Sequence, residues 1–542
     1  MTSLNDRYEQ VCAEHDLSIP EHYNFGFDCI DRWAEDPSRL AFIALDGQGR
    51  ETGRQTFAQL RDDSNRFANA LLDLGARPGD LAFVMIPRVA AWYQVMVGCC
   101  KSGVVAMPGT NLLMPKDIAY RINRAGARIA IVTEQAAERV DEIRNICPSL
   151  RLLIVVGGPR DGWQSYERLL TDASPGFDRQ RVPATRSDDL MLIYFTSGTT
   201  AMPKMVPRDH GYALAHRITG RYWMDLREGE VHWTLSDTGW AKAAWGLLYG
   251  PWQIGAVNVL IDASGFDAPL HLRLISQLDV KTFCAPPTVY RMFAQLDLSK
   301  YELGGLRHSM SAGEPLNPEV IKIWQQATGG PIYDGYGQTE TINVVGNYPF
   351  MPVRPGSMGR PVPGVSVDVV DEQGKPVADD EIGHIAVKIT DPYPPGLFRG
   401  YWQDDEATAK VFHDGWYYTG DTATRDPDGY FWFVGRSDDI ISSAGYRISP
   451  FEVESTLLEH PAVAESAVVG VPDDLRGQIV KAYVVLAEGF QPADELAVDI
   501  QEFVKANTAP YKYPREVEFR DSLPKTISGK IQRVNLRRES EA

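Results

Sequence analysis

The chain reads as an α/β protein with a large N-terminal domain of layered α/β subdomains, a small β-rich subdomain, and a small α+β domain at the C-terminus. Three observations predict this. Short buried apolar runs alternate with helical patterns through the first two hundred residues, as in a layered sheet. Between about Val345 and Val434 the texture changes to short alternating strands cut by Gly, Pro and Asp turns. Beyond Arg436 a self-contained pattern of strands and one helix follows.

Thr56-Phe-Ala-Gln59 is a capping-box pattern. It opens a helix with Phe57, Leu60, Phe67, Leu71 and Leu74 on its apolar side, closed by Gly75. Leu81–Ile86 follows as a buried strand, then a helical pattern from Val89 to Cys100. Ile129–Val132, Leu152–Val156 and Met191–Phe195 are further buried strands. Val365–Val370 and His384–Lys388 alternate as strands of the β-rich subdomain. In the tail, strands are expected near Glu465–Val471 and Val480–Leu486, with a helix near Asp494–Asn507. The expected domains are therefore 1–435 and 436–542.

At 542 residues, a sizeable core is no difficulty. The net charge of -18 argues against a nucleic-acid partner, whose phosphates it would repel. Any anionic ligand must be held by local lysines, arginines and backbone amides. The six cysteines lack metal-like spacing, and Cys99 and Cys100 read as reduced core thiols. The N-terminus is too polar for a signal peptide and too acidic for a typical transit peptide. The longest apolar stretch, Val89–Cys100, falls short of the about 20 residues that a membrane span needs. A cytosolic location is expected.

Thr196-Ser-Gly-Thr-Thr200 lies at the end of the strand Met191–Phe195. Hydroxyls and amides in a tight loop can wrap phosphate oxygens, and Lys204 adds a formal charge. A Walker-type loop is excluded because GxxxxGK[ST] is absent, and Pro203 and Pro207 spoil the helix it would open. In Asp334-Gly-Tyr-Gly-Gln-Thr-Glu340 the glycines would let the backbone approach a flat ligand. Asp421, in Tyr-Thr-Gly-Asp, could accept hydrogen bonds from both hydroxyls of a ribose. Taken singly, each stretch has a plain alternative: a polar turn, a solvated carboxylate, a β-turn. His210 and His232 read as structural or surface histidines rather than catalytic bases.

Tyr194–Lys204, Tyr333–Glu340, Tyr418–Asp421, Gly435-Arg-Ser-Asp-Asp439 and Leu523–Arg533, in this order, resemble the adenylate-forming superfamily. This superfamily holds acyl-CoA synthetases, luciferases and peptide-synthetase adenylation domains, and the resemblance covers nearly the whole chain. It implies that Thr196, Ser197, Gly198, Thr199, Thr200 and Lys204 hold ATP phosphates, with Thr196 also catalytic. Ala201 and Met205 stand where the family usually has glycine; Met205 also occurs in the medium-chain acyl-CoA synthetase branch, which the chain resembles most. Gly313 and Glu314 would line the adenine, Asp334 would join the nucleotide site, Tyr336 would pack on the base, and Thr339 would reach the α-phosphate. Glu340 would ligate Mg²⁺, while Asp421 and Arg436 would hold the ribose. Asp438 is the hinge of a mobile C-terminal domain, and Gly445, Tyr446 and Arg447 would line the path of CoA. Lys530 would be the catalytic lysine that offsets repulsion between carboxylate and ATP.

The resemblance also places the acyl pocket at Trp240, Thr288 and Gly313, with Asp237-Thr-Gly-Trp240 similar to medium-chain enzymes. The resulting expectation is an ATP-dependent carboxylate–CoA ligase that forms an acyl-adenylate and releases AMP and pyrophosphate. Its partners would be a medium-chain fatty acid, ATP, Mg²⁺ and CoA, with assembly as a homodimer left open. The alternatives are an aryl-acid CoA ligase, a stand-alone adenylation enzyme that loads a carrier protein, and a catalytically silent relative.

Overall fold

The computed structural model describes residues 4–196, 202–263, 265–313, 318–444, 446–473, 475–526 and 530–541. These residues form two compact units: up to residue 195 with 205–366 and 390–408, and 196–204 with 367–389 and 409–542.

Two sheets carry the first unit. The seven-stranded one has the order Gln164–Ser165, Leu152–Val156, Ile129–Thr133, Leu81–Met85, Val105–Pro108, Leu190–Phe195, Met205–Asp209. Its strands pair in parallel except the last two, which are antiparallel. Near-continuous apolar runs suit strands covered on both faces, and Leu81–Met85 is buried throughout. The expected capping box is present: Thr56 accepts from the Gln59 amide, the Gln59 side chain accepts from the Thr56 amide, and the helix runs Phe57–Asp73. Ala90–Ser102 follows as a helix, with Val89 at its N-cap and Gly103 ending it at φ +73°.

In the nine-stranded sheet, Leu40–Leu45, Val257–Ile261, Val231–Thr234, Val280–Ala285, His308–Ala312 and Ile332–Gly337 are parallel neighbours in that order. Asn343–Gly346 and Arg360–Pro361 extend it antiparallel beyond Ile332–Gly337. This corrects the expected start of the β-rich subdomain near Val345. Those residues hydrogen-bond onto the large sheet, and the β-rich sheet begins at Val367–Val370. Local alternation records the character of a strand and leaves its sheet unspecified.

In the second unit, one sheet is built from Val367–Val370, Gly383–Lys388, Phe412–His413, Trp416–Arg425 and Phe431–Arg436. A second sheet lies wholly after Arg436, centred on Val463–Asp473 and Gly477–Leu486, with the helix Asp494–Asn507 where the sequence placed it. Its core gathers Ile441, Val453, Leu457, Val468, Val484, Ile500 and Val504. The β-rich sheet and this tail fall in one compact unit, so Arg436 is interior to that unit. Among the described residues no helix is long and apolar enough to cross a membrane.

Candidate active site

In the first unit the site builds from the carboxyl ends of parallel strands, where open α/β sheets leave a crevice for ligands. Ser311 and Asp334 are register partners on His308–Ala312 and Ile332–Gly337. The Asp334 carboxyl accepts from the Gly335 amide at 2.9 Å. Burial pushes its pKa up to about 7, with that hydrogen bond and the charge of Lys242 working against the rise. Tyr336 is half-buried on the same strand, opposite Val345. Gly313 follows the neighbouring strand, exposed and at φ +105°, a conformation that favours glycine.

The glycines of Asp334-Gly-Tyr-Gly meet a requirement inside the protein. A Cβ at Gly335 would lie 2.5 Å from the Trp223 ring, and one at Gly337 would lie 2.3 Å from the Ile342 carbonyl. The close approach inferred for a flat ligand is thus already taken by protein atoms.

Thr339 and Glu340 form the turn after this strand, Thr339 half-buried and Glu340 buried. The Tyr401 hydroxyl donates to Glu340 Oε1 at 2.9 Å. The Glu340 carbonyl accepts from Arg208 Nη1 at 2.8 Å and from the Phe398 amide at 2.9 Å. Arg208 is fully buried, also donates to the Gly396 carbonyl, and lies over the Tyr212 ring. A solvated surface carboxylate, the plain alternative for Glu340, is therefore set aside. Among the described residues no group of three His, Cys, Asp or Glu side chains could hold a metal ion unaided. A lone buried carboxylate instead fits Mg²⁺, which is bound by one or two carboxylates together with substrate phosphates.

Asp237-Thr-Gly-Trp240 is fastened to the ends of two other strands. The Thr238 hydroxyl donates to the Ile86 carbonyl at 2.6 Å, and Thr110 Oγ1 donates to Asp237 at 2.9 Å. A Cβ on Gly239 would fall 2.0 Å from the Thr110 amide nitrogen. Trp240 is half-buried and caps a short helix, Ala241–Ala243. Thr288 is exposed, and its hydroxyl accepts from Arg291 at 3.0 Å. His210 and His232 are buried, and burial lowers them to about 4 and about 3, which suits neutral structural rings.

In the second unit, Thr196 and Lys204 close a hairpin loop. The Thr196 amide donates to the Lys204 carbonyl at 2.9 Å, and the Lys204 amide donates to Thr196 Oγ1 at 3.1 Å. Ser197, Gly198, Thr199, Thr200 and Ala201 between them lie outside the described residues, as do Glu314 and Gly445. Asp421 and Arg436 are cross-strand partners, with Arg436 Nη1 3.4 Å from the buried Asp421 carboxylate. Asp438 sits in the turn after Arg436, and its carbonyl accepts from Arg537 at 3.0 Å. Tyr446 is exposed and stacks on Tyr511 with ring centres 4.2 Å apart. Arg447 pairs with Ser442 in strand register.

Lys530 is exposed at the close of a turn in which its amide donates to Thr526 Oγ1 at 3.1 Å. Three residues on, Arg533 forms a two-pronged pair with the buried Glu454 at 3.1 and 2.6 Å. Arg537 lies 2.8 Å from Asp439. Sequence reasoning missed Tyr401, Arg208, Glu454 and Arg533. Their partners are 61 to 132 positions away, and no local pattern marks such a pair.

A sequence profile described as AMP-binding enzyme matches residues 30–402, and one for the AMP-binding enzyme C-terminal domain matches 452–530. The chain is 42% identical over 543 residues to the mitochondrial acyl-coenzyme A synthetase ACSM3 of Rattus norvegicus, covering 98% of this chain and 93% of that one. Its fold matches the anthranilate CoA ligase AuaEII in complex with anthranoyl-AMP, at TM-score 0.87 and 33% identity, covering 96% and 98% of the two chains. It also matches the Brucella canis acyl-CoA synthetase, at TM-score 0.76 and 35% identity, covering 99% of each. The mitochondrial designation of relatives such as ACSM3 overturns the expected cytosolic location. Reduced thiols report redox conditions and do not name a compartment.

Proposed function

The chain belongs to the AMP-binding enzyme family, and from that premise we propose that it is an ATP-dependent acyl-CoA synthetase. It joins a carboxylic acid to ATP, giving an acyl-adenylate and pyrophosphate, then passes the acyl group to CoA with release of AMP. The observation that carries this reading is the full-length identity to acyl-CoA synthetases, together with the buried Glu340 and the Asp421–Arg436 pair.

In the first half-reaction the hydroxyls and amides around Thr196 and Lys204 take the phosphates, Tyr336 packs on adenine, and Thr339 reaches the α-phosphate. Asp421 accepts from the ribose hydroxyls, with Arg436 beside it to hold its charge. Glu340, oriented by Tyr401, would hold Mg²⁺, which supplies charge neutralisation of the phosphates when bound. Lys530 opposes the repulsion between the acid carboxylate and ATP. Asp438 serves as the hinge, and the segment Gly445–Arg447 then lines the path of CoA.

The acid is a medium-chain fatty acid, supported by Trp240, by Met205 and by likeness to the ACSM enzymes. A second reading, an aryl acid, is favoured by the likeness to AuaEII, a ligase of anthranilate. Pyrophosphate release measured across C2 to C16 and aryl acids, with and without CoA, tests the proposal. AMP, pyrophosphate and thioester are expected, led by the medium-length acids. ADP and phosphate as products, or no thioester with any acid, would overturn it.

A further inference from the structure

Two tryptophans hold the strand Ile332–Gly337 by its glycines. Successive side chains of a strand point to opposite faces. Gly335 and Gly337 therefore show one face of this strand, and Asp334 and Tyr336 show the other. A Cβ at Gly335 would lie 2.5 Å from the Trp223 ring, and one at Gly337 would lie 2.5 Å from the Trp245 ring. Both rings are buried, and they meet edge to face with centres 6.2 Å apart. Bare glycine lets each ring reach the backbone itself.

The rings sit in a fixed frame. Trp223 Nε1 donates to the Tyr333 carbonyl at 3.3 Å, and the Trp223 carbonyl accepts from His308 Nε2 at 2.7 Å. Trp223 closes the π-helical turn Thr219–Trp223, and Trp245 lies in another, Ala244–Leu248. Such turns shift side chains off the α-helical register and recur at functional sites. The support continues toward Glu340. The His216 ring lies 6.3 Å from that of Trp245 and 4.5 Å from that of Tyr212, and Arg208, over Tyr212, donates to the Glu340 carbonyl. One packed layer thus backs the stretch from Gly335 to Glu340, and a close-packed interior transmits a displacement instead of absorbing it.

We infer that Trp223 and Trp245 are positioning residues of the nucleotide site, setting how far the strand presents Asp334 and Tyr336 on its opposite face. The inference rests on the nucleotide site and the ligase reading proposed above. The two rings act through the backbone, from the face away from Tyr336. They hold that ring at the height from which it packs on adenine, so their loss falls on ATP before it falls on the acid.

The test measures pyrophosphate release by wild type, Trp223→Leu and Trp223→Phe, with ATP and octanoate varied separately. Trp223→Leu is expected to raise the KM for ATP by about 10-fold, the scale of one weakened stack between a base and an aromatic ring. The KM for octanoate should stay nearly unchanged, and Trp223→Phe, which keeps a ring against Gly335, should recover part of the loss. Equal rises in both KM values, or none, would overturn the proposal. Fluorine NMR of wild type labelled with fluorotryptophan decides the case if Trp223→Leu fails to fold. The resonances absent from Trp223→Phe and Trp245→Phe belong to the two rings. Both should shift on addition of ATP and stay in place with octanoate alone, and unmoved resonances at saturating ATP would overturn the proposal. If wild type bound ATP but released no pyrophosphate with any acid, the ligase reading would fail by itself, and the two resonances would still decide the tryptophans. No binding of ATP would overturn both.

Discussion

The Tyr401 hydroxyl donates to Glu340 Oε1 at 2.9 Å, so a buried carboxylate is oriented from outside its own motif. Arg208 and the Phe398 amide fix the same residue by its carbonyl, leaving both its backbone and its side chain held. Such support matters for the metal site proposed at Glu340, because a misplacement of about 1 Å in a catalytic group can cost on the order of 100-fold in rate.

Tyr401→Phe keeps the ring and removes only that donor. It should raise the Mg²⁺ concentration needed for half-maximal adenylation while leaving the melting temperature nearly unchanged. Glu340→Gln should do the same more severely, since it removes charge without changing shape. A magnesium titration identical to wild type in Glu340→Gln would remove Glu340 from the metal site.

The elements most legible in the sequence are those whose signals are local. The Thr56–Gln59 capping box, the buried strand at Leu81 and the helix Asp494–Asn507 all follow from neighbours within a few positions. Sheet membership did not follow. Asn343–Gly346 is a short strand, buried throughout, with nothing local to name its sheet, and it joins the large sheet through Tyr336 and Gly335. The site divides in the same way. Glu340 and Asp421, as proposed site residues, are named from the sequence because each sits in a short motif. Tyr401, Arg208 and Arg533 act across the fold, and only the packed chain brings them to their partners.

Gly239→Ala tests whether the Asp237–Trp240 loop depends on its stapling to Gly109 and Thr110. The new methyl would fall 2.0 Å from a backbone nitrogen, which no side-chain rotation can relieve. Displacement of the loop should move Trp240 and raise the KM for the acid while leaving the KM for ATP closer to wild type. Equal acid KM values in the two proteins would show that the loop does not shape the acyl site.

Asp334 gives a pH dependence of stability. Burial raises its folded pKa to about 7 from the ordinary value of 3.8, so between these limits the folded state binds more protons than the unfolded one. Its contribution is fully favourable below the lower limit and is lost as pH rises through the upper. Asp334→Asn has no such proton to lose. Its stability relative to wild type should rise from pH 4 to pH 7, by up to a few kcal/mol at roughly 1.4 kcal/mol per unit. Denaturant unfolding at pH 4.5, 6 and 8 measures this, and a constant difference between the two proteins would refute it.

Arg533, three residues beyond Lys530 and partly exposed, forms a two-pronged pair with the buried Glu454. Arg533→Met strands the Glu454 carboxylate, a loss of about 3–5 kcal/mol for a buried pair broken on one side. Glu454→Gln with Arg533→Met removes both charges and should recover much of that stability. Additive losses in the double variant would show that the two side chains act separately.

Lys530→Ala should divide the two half-reactions. On the proposed reading the lysine offsets carboxylate–phosphate repulsion while the adenylate forms, and removing one preorganised charge donor of this kind costs on the order of 10²–10³ in rate. Once acyl-AMP exists, that barrier is behind the reaction, and transfer to CoA has no further use for the same charge. The variant should fail from ATP and acid yet still make thioester from supplied acyl-AMP and CoA. Lys530 is exposed, and its turn is closed through its backbone amide, so alanine can keep the local geometry. An unchanged melting temperature would separate this outcome from misfolding. Equal loss in both assays would mean that the charge serves the protein's structure, and the assignment of Lys530 to adenylation would fall.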